Sequence, residues 1–585
     1  MAAVLFLTMA LCPFTVKASN TKDNSLPSGV PYDEISTTIE NYVQENEDTT
    51  AGIAINIFNV NDDIYQNYFG YANKEAGVPI AEDTVIEWGS VTKLLVWVGA
   101  MQLCEQGRID LGEDISVYLP EGFLTNLSYD EPITMTHLMN HTTGFQEVFA
   151  NIMVQDASAL TTLEDALRAF MPAQIYEPGT VVAYSNWGVA LAGYIIEQVS
   201  GQSFEDYVHQ NIFTPLGMSQ SAVAVDLSDN EWVQNKRQEL ECYTAYGDHV
   251  PNCFYYIPLY PVGMCTSTLQ DFSTFGKALL TPNSLLFENP DTWEMLFSPS
   301  GFYSNGLPRN SHGFWVLPFE NLTYGHGGNT IGCSSYLLLD LEAEIGVAVM
   351  TNQANETVYC VDMMSLILGN FEESVYFEAP REVPTGIYRS ARTVRKGPFK
   401  IASLSFMVMG AADLEDMWVY SSDVDGMEKV SYTYFDFLKA PLLEVIVELV
   451  LFILMAAAFL FSILSITVQG VLGIVRRVRK KDKQHNTLKK WSIGSQLSQI
   501  VATGLLITAI LLAASYQLAA SYQWIFAVLA IIALIMVAQI IYGLINIRKP
   551  QKFKRRTVYN VFVLLSLLAF VVNIVYWNMF MFWAL

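Results

Sequence analysis

Ser90-Val91-Thr92-Lys93 stands directly in front of the apolar run Leu94-Leu95-Val96-Trp97-Val98. A serine hydroxyl attacks a carbonyl readily only if its proton is taken as the new bond forms. A lysine three positions later in a helix lies on the same face, one turn away. If that lysine is desolvated, its pKa falls and it can take part in the proton transfer. The two residues are thus a candidate nucleophile and base, although the spacing alone equally describes a helix start and a surface lysine. Tyr184-Ser185-Asn186 offers a phenol, which can act as a base where cations depress its pKa, and a carboxamide able to hold a substrate amide. The same pattern begins at Tyr65, Tyr71 and Tyr303, but Tyr184 has the turn-forming Glu177-Pro178-Gly179 ahead and a helix-like run, Ala190 to Glu197, behind. His326-Gly327-Gly328-Asn329 reads as a turn before a strand-like stretch, Ser334 to Leu339. Its glycines would admit a substrate backbone, and the Asn329 and Ser90 N–H groups could form an oxyanion hole. The histidine would put a donor or a switchable charge at the mouth.

These residues are far apart in the chain, so a fold must assemble them. An amphipathic helix is predicted from Tyr32 to Gln44, then strands over Gly52 to Phe58 and Ile64 to Tyr68. Residues 90–300 read as mostly helical, and strand character returns at Ser334 to Leu339 and Ile345 to Met350. Strands at both ends of a helical middle predict an α+β fold whose antiparallel sheet joins the two ends and is flanked by helices.

Charge divides the chain sharply. Residues 1–440 hold 18 Lys/Arg against 55 Asp/Glu, whereas 441–585 hold 14 against three. So acidic a domain is unsuited to nucleic acid, whose phosphates require neutralising cations. Four apolar runs, roughly Leu449 to Val475, Ile493 to Ala514, Trp524 to Ile545 and Val558 to Phe580, follow residue 440. Each suffices for a ~30 Å hydrocarbon core, which takes about 20 helical residues. Basic clusters lie between the first two runs (Arg476 to Lys481) and between the last two (Arg548 to Arg556), while Ser515 to Gln523 is uncharged. Basic loops stay in the cytoplasm, so an all-α four-span domain in the cell membrane would leave residues 1–440 extracytoplasmic. An apolar start and Val16-Lys17-Ala18 before Ser19 agree, as a signal peptide over 1–18. The expected organisation continues with a domain over 29–365 that carries the three motifs, a small β module over 384–435 and the membrane domain over 441–585. The seven cysteines form no C-x-x-C pair and no Cys/His cluster, so neither a metal nor another cofactor is expected. Cys242 and Cys253 flank a short loop, and spacing does not decide between a disulfide and buried thiols.

As an ordered set the three motifs resemble the serine β-lactamase and penicillin-binding superfamily, in its class C β-lactamase and D-alanyl-D-alanine carboxypeptidase branch. The resemblance extends from Trp88-Gly89-Ser90 through Gly107-Arg108-Ile109-Asp110-Leu111, Tyr118-Leu119-Pro120, the segment Ile133 to Gly144, and Pro261-Val262-Gly263-Met264. It implies that Ser90 is acylated, that Lys93 and Tyr184 share the proton work, and that Asn186 holds the substrate amide. Gly328 and Asn329 would complete the substrate site. His326 stands where many β-lactamases carry a lysine, which a substrate carboxylate favours, so the resemblance points to the D-amino-acid peptidase or esterase members. The substrate would be a small peptide, amide or ester. Two further readings remain: a peptidase that removes an N-acyl-D-amino-acid cap during peptide export, and a non-catalytic ligand sensor or transport partner. Oligomeric state is left open.

Overall fold

The computed structural model describes residues 24–148, 153–369, 385–409, 419–424, 427–479, 487–514, 519–547 and 554–582. The expected signal peptide lies outside them.

Nine antiparallel strands form the main sheet. Their spatial order is Val78–Pro79, Asp63–Asn73, Gly52–Phe58, Ile345–Thr351, Ser334–Asp340, Leu322–Asn329, Phe314–Pro318, Pro308–Ser311 and Gly301–Phe302. The first long strand pairs with the last, Ile53 opposite Thr351 and Phe58 opposite Gly346, so the sheet joins the two ends of the domain as expected. Gly52–Phe58 is buried along its whole length, because helices cover both faces of the sheet and successive side chains alternate between them. Ile53, Ile55 and Ile57 meet Ile35, Ile39 and Val43 of helix Ile35–Glu45, together with Met363, Met364 and Ile367. Ala54 and Phe58 face the other way, into the large core with Trp88, Phe272 and Phe275.

Helix Lys93–Glu105 runs through that core, with every residue from Lys93 to Leu103 buried. A helix apolar on all sides can only sit inside the protein, and its burial carries Lys93 inside with it. Helix Asn186–Ser200 packs beside it, capped by the Ser185 hydroxyl accepting from the Gly188 N–H.

A second sheet of five antiparallel strands follows: Met407–Met409, Ile387–Ser390, Asp436–Lys439, Met427–Tyr432 and Val419–Val424, in that order. It docks on the main domain through Asp436. This carboxylate, wholly buried, pairs with the Arg309 guanidinium at 2.7 Å and with Lys429 at 3.2 Å. It also accepts from the Val182 N–H at 3.0 Å.

Four long apolar helices complete the chain: Leu442–Val478, Thr487–Ala513, Ser521–Asn546 and Thr557–Tyr576, a membrane domain by length and composition. Polar side chains join them internally. Gln496 donates to the Ser465 and Tyr559 hydroxyls at 2.8 and 2.6 Å, and Gln499 links Ser462 to Ser566. The five-stranded module is tied to the first helix by Arg389, which reaches Glu444 at 2.9 Å and the buried Glu448 at 2.5 Å.

Removing one partner of a buried ion pair strands the other in low dielectric, at a cost of about 3–5 kcal/mol. Asp436→Ala is therefore expected to lower the unfolding temperature of the detergent-solubilised chain markedly, followed by tryptophan fluorescence. An unshifted melting curve would show that Arg309 and Lys429 do not depend on this carboxylate.

Candidate active site

Ser90 lies on a 3-10 turn, Gly89–Thr92, that runs into the buried helix opened by Lys93. The turn depends on Gly89, whose φ of +51° places it in the left-handed region. The Lys93 Nζ, fully buried, donates to the Ser90 Oγ at 2.8 Å and to the Val262 carbonyl at 2.7 Å. Burial, and then the positive charge of Arg392, drive its pKa well below 10.5, with Glu147 opposing. Its place in the first turn of a helix, at the positive end of the dipole, acts in the same direction.

Tyr184 is also buried, and its ring is flanked by two basic groups: Lys93 Nζ at 5.1 Å and the Arg392 guanidinium carbon at 5.0 Å from the centroid. The sequence reading has cations depressing this phenol's pKa. Burial outweighs them and pushes it up, with the Ser90 hydroxyl and Arg392 only partly opposing. The resting group is a neutral phenol. Asn186 opens the next helix, half-buried, and its carboxamide makes no hydrogen bond among the described residues.

His326 to Asn329 do not form the expected turn. They are the end of strand Leu322–Asn329, paired with Ser334–Asp340 so that Gly327 opposes Tyr336 and Asn329 opposes Ser334. Glycine disfavours strands in general, but here close fit overrides propensity. A Cβ on Gly328 would lie 1.9 Å from the Trp88 carbonyl oxygen and 2.9 Å from the Ser90 nitrogen. One on Gly89 would lie 2.7 Å from the Asn329 nitrogen. Bare backbone on both sides brings the Ser90 and Asn329 amides together. The neighbouring strand Phe314–Pro318 pairs only as far as Gly325, opposite Trp315, so the strand end beyond it has no paired strand on that side among the described residues.

His326 is buried and neutral. Burial, with the Lys93 charge second, pushes its pKa down to about 3, and its Nδ1 lies 2.5 Å from the Gly327 carbonyl oxygen. Its Nε2 is buried without a hydrogen-bond partner among the described residues. The structure thus gathers Ser90, Lys93, Tyr184, His326, Gly328 and Asn329 into one cleft, with Asn186 at the helix start next to Tyr184.

It also adds residues to which the sequence assigned no role. His141, at φ +55°, is sandwiched between the Tyr184 ring (4.5 Å) and Trp315 (5.4 Å), and its Nδ1 accepts from the Ser185 N–H at 3.2 Å. It lies in the quoted segment Ile133 to Gly144, so a signal was present. Arg392 and Tyr434 come from the five-stranded module. Tyr434 meets Trp315 edge-on at 5.1 Å, and its hydroxyl is 3.3 Å from that of Tyr336. Arg392 pairs through its Nε with Glu147. Nothing local in the sequence links them to the cleft. Outside it, Cys242 and Cys253 form a disulfide, which resolves the open pairing, while Cys104, Cys265, Cys333 and Cys360 are free. Among the described residues no group of three or more His, Cys, Asp or Glu is placed to hold a metal.

The chain is similar to several known proteins. Penicillin-binding protein 4 of Amycolatopsis lactamdurans is 24% identical over 351 residues, covering 55% of this chain and 86% of that protein. Protein flp of Staphylococcus aureus is 26% identical over 313 residues, covering 50% of this chain and 57% of its own length. Among solved structures, the octameric penicillin-binding protein homologue from Pyrococcus abyssi aligns over 70% of this chain and 99% of its own, with 21% identity and a TM-score of 0.49. The family model described as Beta-lactamase matches residues 36–364, a span that holds Ser90, Lys93, Tyr184, Asn186 and the His326–Asn329 strand end. The chain belongs to the beta-lactamase family.

Proposed function

We propose that the chain is a membrane-anchored, extracytoplasmic serine hydrolase that forms an acyl-enzyme on Ser90, directed at D-amino-acid peptides, amides or esters. The observation that carries this reading is the buried, pKa-lowered Lys93 amine held 2.8 Å from the hydroxyl of a partly buried serine.

Neutral Lys93 takes the Ser90 proton as Oγ attacks the substrate carbonyl. The Ser90 and Asn329 N–H groups receive the negative charge that develops on the carbonyl oxygen. Tyr184, a neutral phenol beside Ser90, gives its proton to the leaving nitrogen or oxygen and regains one from the Lys93 ammonium. Asn186 holds the amide of the acyl part. Water then attacks the ester by the reverse proton route, releasing Ser90. His326, without charge at neutral pH, offers its Nε2 as a hydrogen-bond acceptor.

The orientation rests on separate support. Arg476, Arg477 and Arg479 are exposed at the end of the first apolar helix, and basic ends of this kind face the cytoplasm. The Cys242–Cys253 disulfide suits an oxidising compartment. Removal of an N-acyl-D-amino-acid cap would use the same site on a different substrate.

A membrane-impermeant fluorophosphonate is expected to label intact cells expressing the chain, and Ser90→Ala to abolish that label. Label retained by Ser90→Ala overturns the assignment of the nucleophile. Because only neutral Lys93 can accept the proton, the acylation rate should rise with pH through a pKa well below 10.5. Lys93→Arg, permanently charged, should lose that rising limb and about 10²–10⁴-fold in rate. Gly328→Ala should abolish acylation, since its Cβ would separate the two N–H donors. Normal burst kinetics in that variant would place the oxyanion elsewhere.

A further inference from the structure

We propose that Arg392 is the group through which this site recognises an anion on its substrate, so that the five-stranded module, rather than the strand bearing His326, supplies the binding charge. The inference rests on the acyl-enzyme reading above and adds a substrate class to it: peptides or esters with a carboxylate close to the scissile bond.

Such a substrate calls for a cation, and among the described residues of the main domain none beside the cleft is available: Arg309 is buried and paired with Asp436. Lys93 is fully buried, with its amine committed to Ser90 and Val262, and His326 is buried and neutral. Arg392 differs on each count. A guanidinium keeps its charge throughout the physiological range, and this side chain is 35% exposed. Its carbon stands 5.0 Å from the centroid of the Tyr184 ring, on the residue that also touches Ser90.

Hydrogen bonding leaves the guanidinium half used. Glu147, itself buried, takes the Nε, and the other Glu147 oxygen is occupied by the Val148 N–H at 2.9 Å. The two terminal nitrogens of Arg392 have no protein acceptor among the described residues. Those nitrogens form the parallel pair of donors that binds a carboxylate in two-point fashion. Glu147 therefore orients the side chain without closing its outer edge.

The backbone carrying Arg392 is fixed rather than loosely apposed. The Glu147 N–H donates to the Thr393 carbonyl at 3.0 Å, and the Gln146 side chain accepts from the Arg395 and Lys396 N–H groups at 3.0 and 2.9 Å. On the other side the Ala391 N–H donates to the Asp436 carbonyl at 2.7 Å. A group held on both flanks can select a ligand without first being ordered.

The test uses the full chain in detergent or nanodiscs and a matched pair of acyl-D-amino-acid esters whose leaving groups end in a carboxylate or in its primary amide. The wild type should prefer the carboxylate. Arg392→Gln should lower kcat/KM on the carboxylate by about 10- to 100-fold, the range set by a charged hydrogen bond, chiefly through KM. On the amide only the effect of the missing charge on Lys93 should remain, a smaller loss that closes as the pH is raised. Arg392→Lys, which keeps the charge and loses the fork, should retain part of the preference. The neutral ester reports folding and Ser90 chemistry in the same samples. Equal losses on both esters, or no wild-type preference with acylation intact, would overturn the proposal and leave the hydrolase reading standing. Failure of the wild type to acylate with either ester or a fluorophosphonate would instead defeat the underlying reading.

Discussion

Everything in the cleft follows from one constraint, an amine held inside the protein without a carboxylate to match it. The Lys93 hydrogen bonds go to a hydroxyl and a carbonyl, neither of which carries charge. Ionising it there costs several kcal/mol of lost hydration, so burial favours the unprotonated amine. The surroundings share that condition. Tyr184 and His326 are pushed towards their neutral forms by the same burial, and His141 as well. A set of titratable groups kept neutral next to a serine can move protons without first discharging an ion pair. The fold secures this by placing the lysine at the head of a helix apolar on all sides, which cannot move outward without exposing Leu94, Leu95 and Trp97.

How far the sequence could reveal this depended on what each feature needs. Ser90 and Lys93 are joined by local helical geometry, which three residues of spacing express directly. The strands at Gly52–Phe58 and Ile345–Thr351 were legible because burial on both faces makes them apolar at all positions but Asn56 and Thr351. The His326–Asn329 segment misled because glycine content signals a turn, whereas here the glycines answer to Trp88 and Tyr336 on neighbouring elements. Tertiary contact decided that conformation, and no local pattern encodes it. Arg392 was illegible for a stronger reason. Its meaning arises only when a separate sheet docks through Asp436 and Arg309, residues that carry no motif.

That docking places the link between the apolar helices and the main domain beside the cleft. Arg389 and Arg392 are three residues apart on one segment, about 10 Å in extended chain. The first is held by Glu444 and Glu448 of the leading apolar helix, the second by Glu147 beside the cleft. The connection is thus a short run with a charged anchor at each end rather than a slack tether.

The apolar helices make that anchor firm. Glu448, buried, also accepts from the Tyr576 hydroxyl at 3.3 Å, so Arg389 is fixed to the first and last helices together. Deeper in the bundle Asn573 reaches the Leu451 carbonyl at 2.9 Å, Gln499 of the second helix joins the first and last through Ser462 and Ser566, and Trp491 donates to the Gln539 carbonyl of the third at 2.8 Å. Bonds of this type average only about 0.6 kcal/mol each in membranes, too little singly to hold a bundle. Their value lies in register, because each polar side chain shifted by one turn would face hydrocarbon unpaired. A single apolar helix would suffice as an anchor. Four helices locked in register give a base whose position is defined, and a defined base is what a segment carrying both Arg389 and Arg392 requires to hold its guanidinium beside Tyr184.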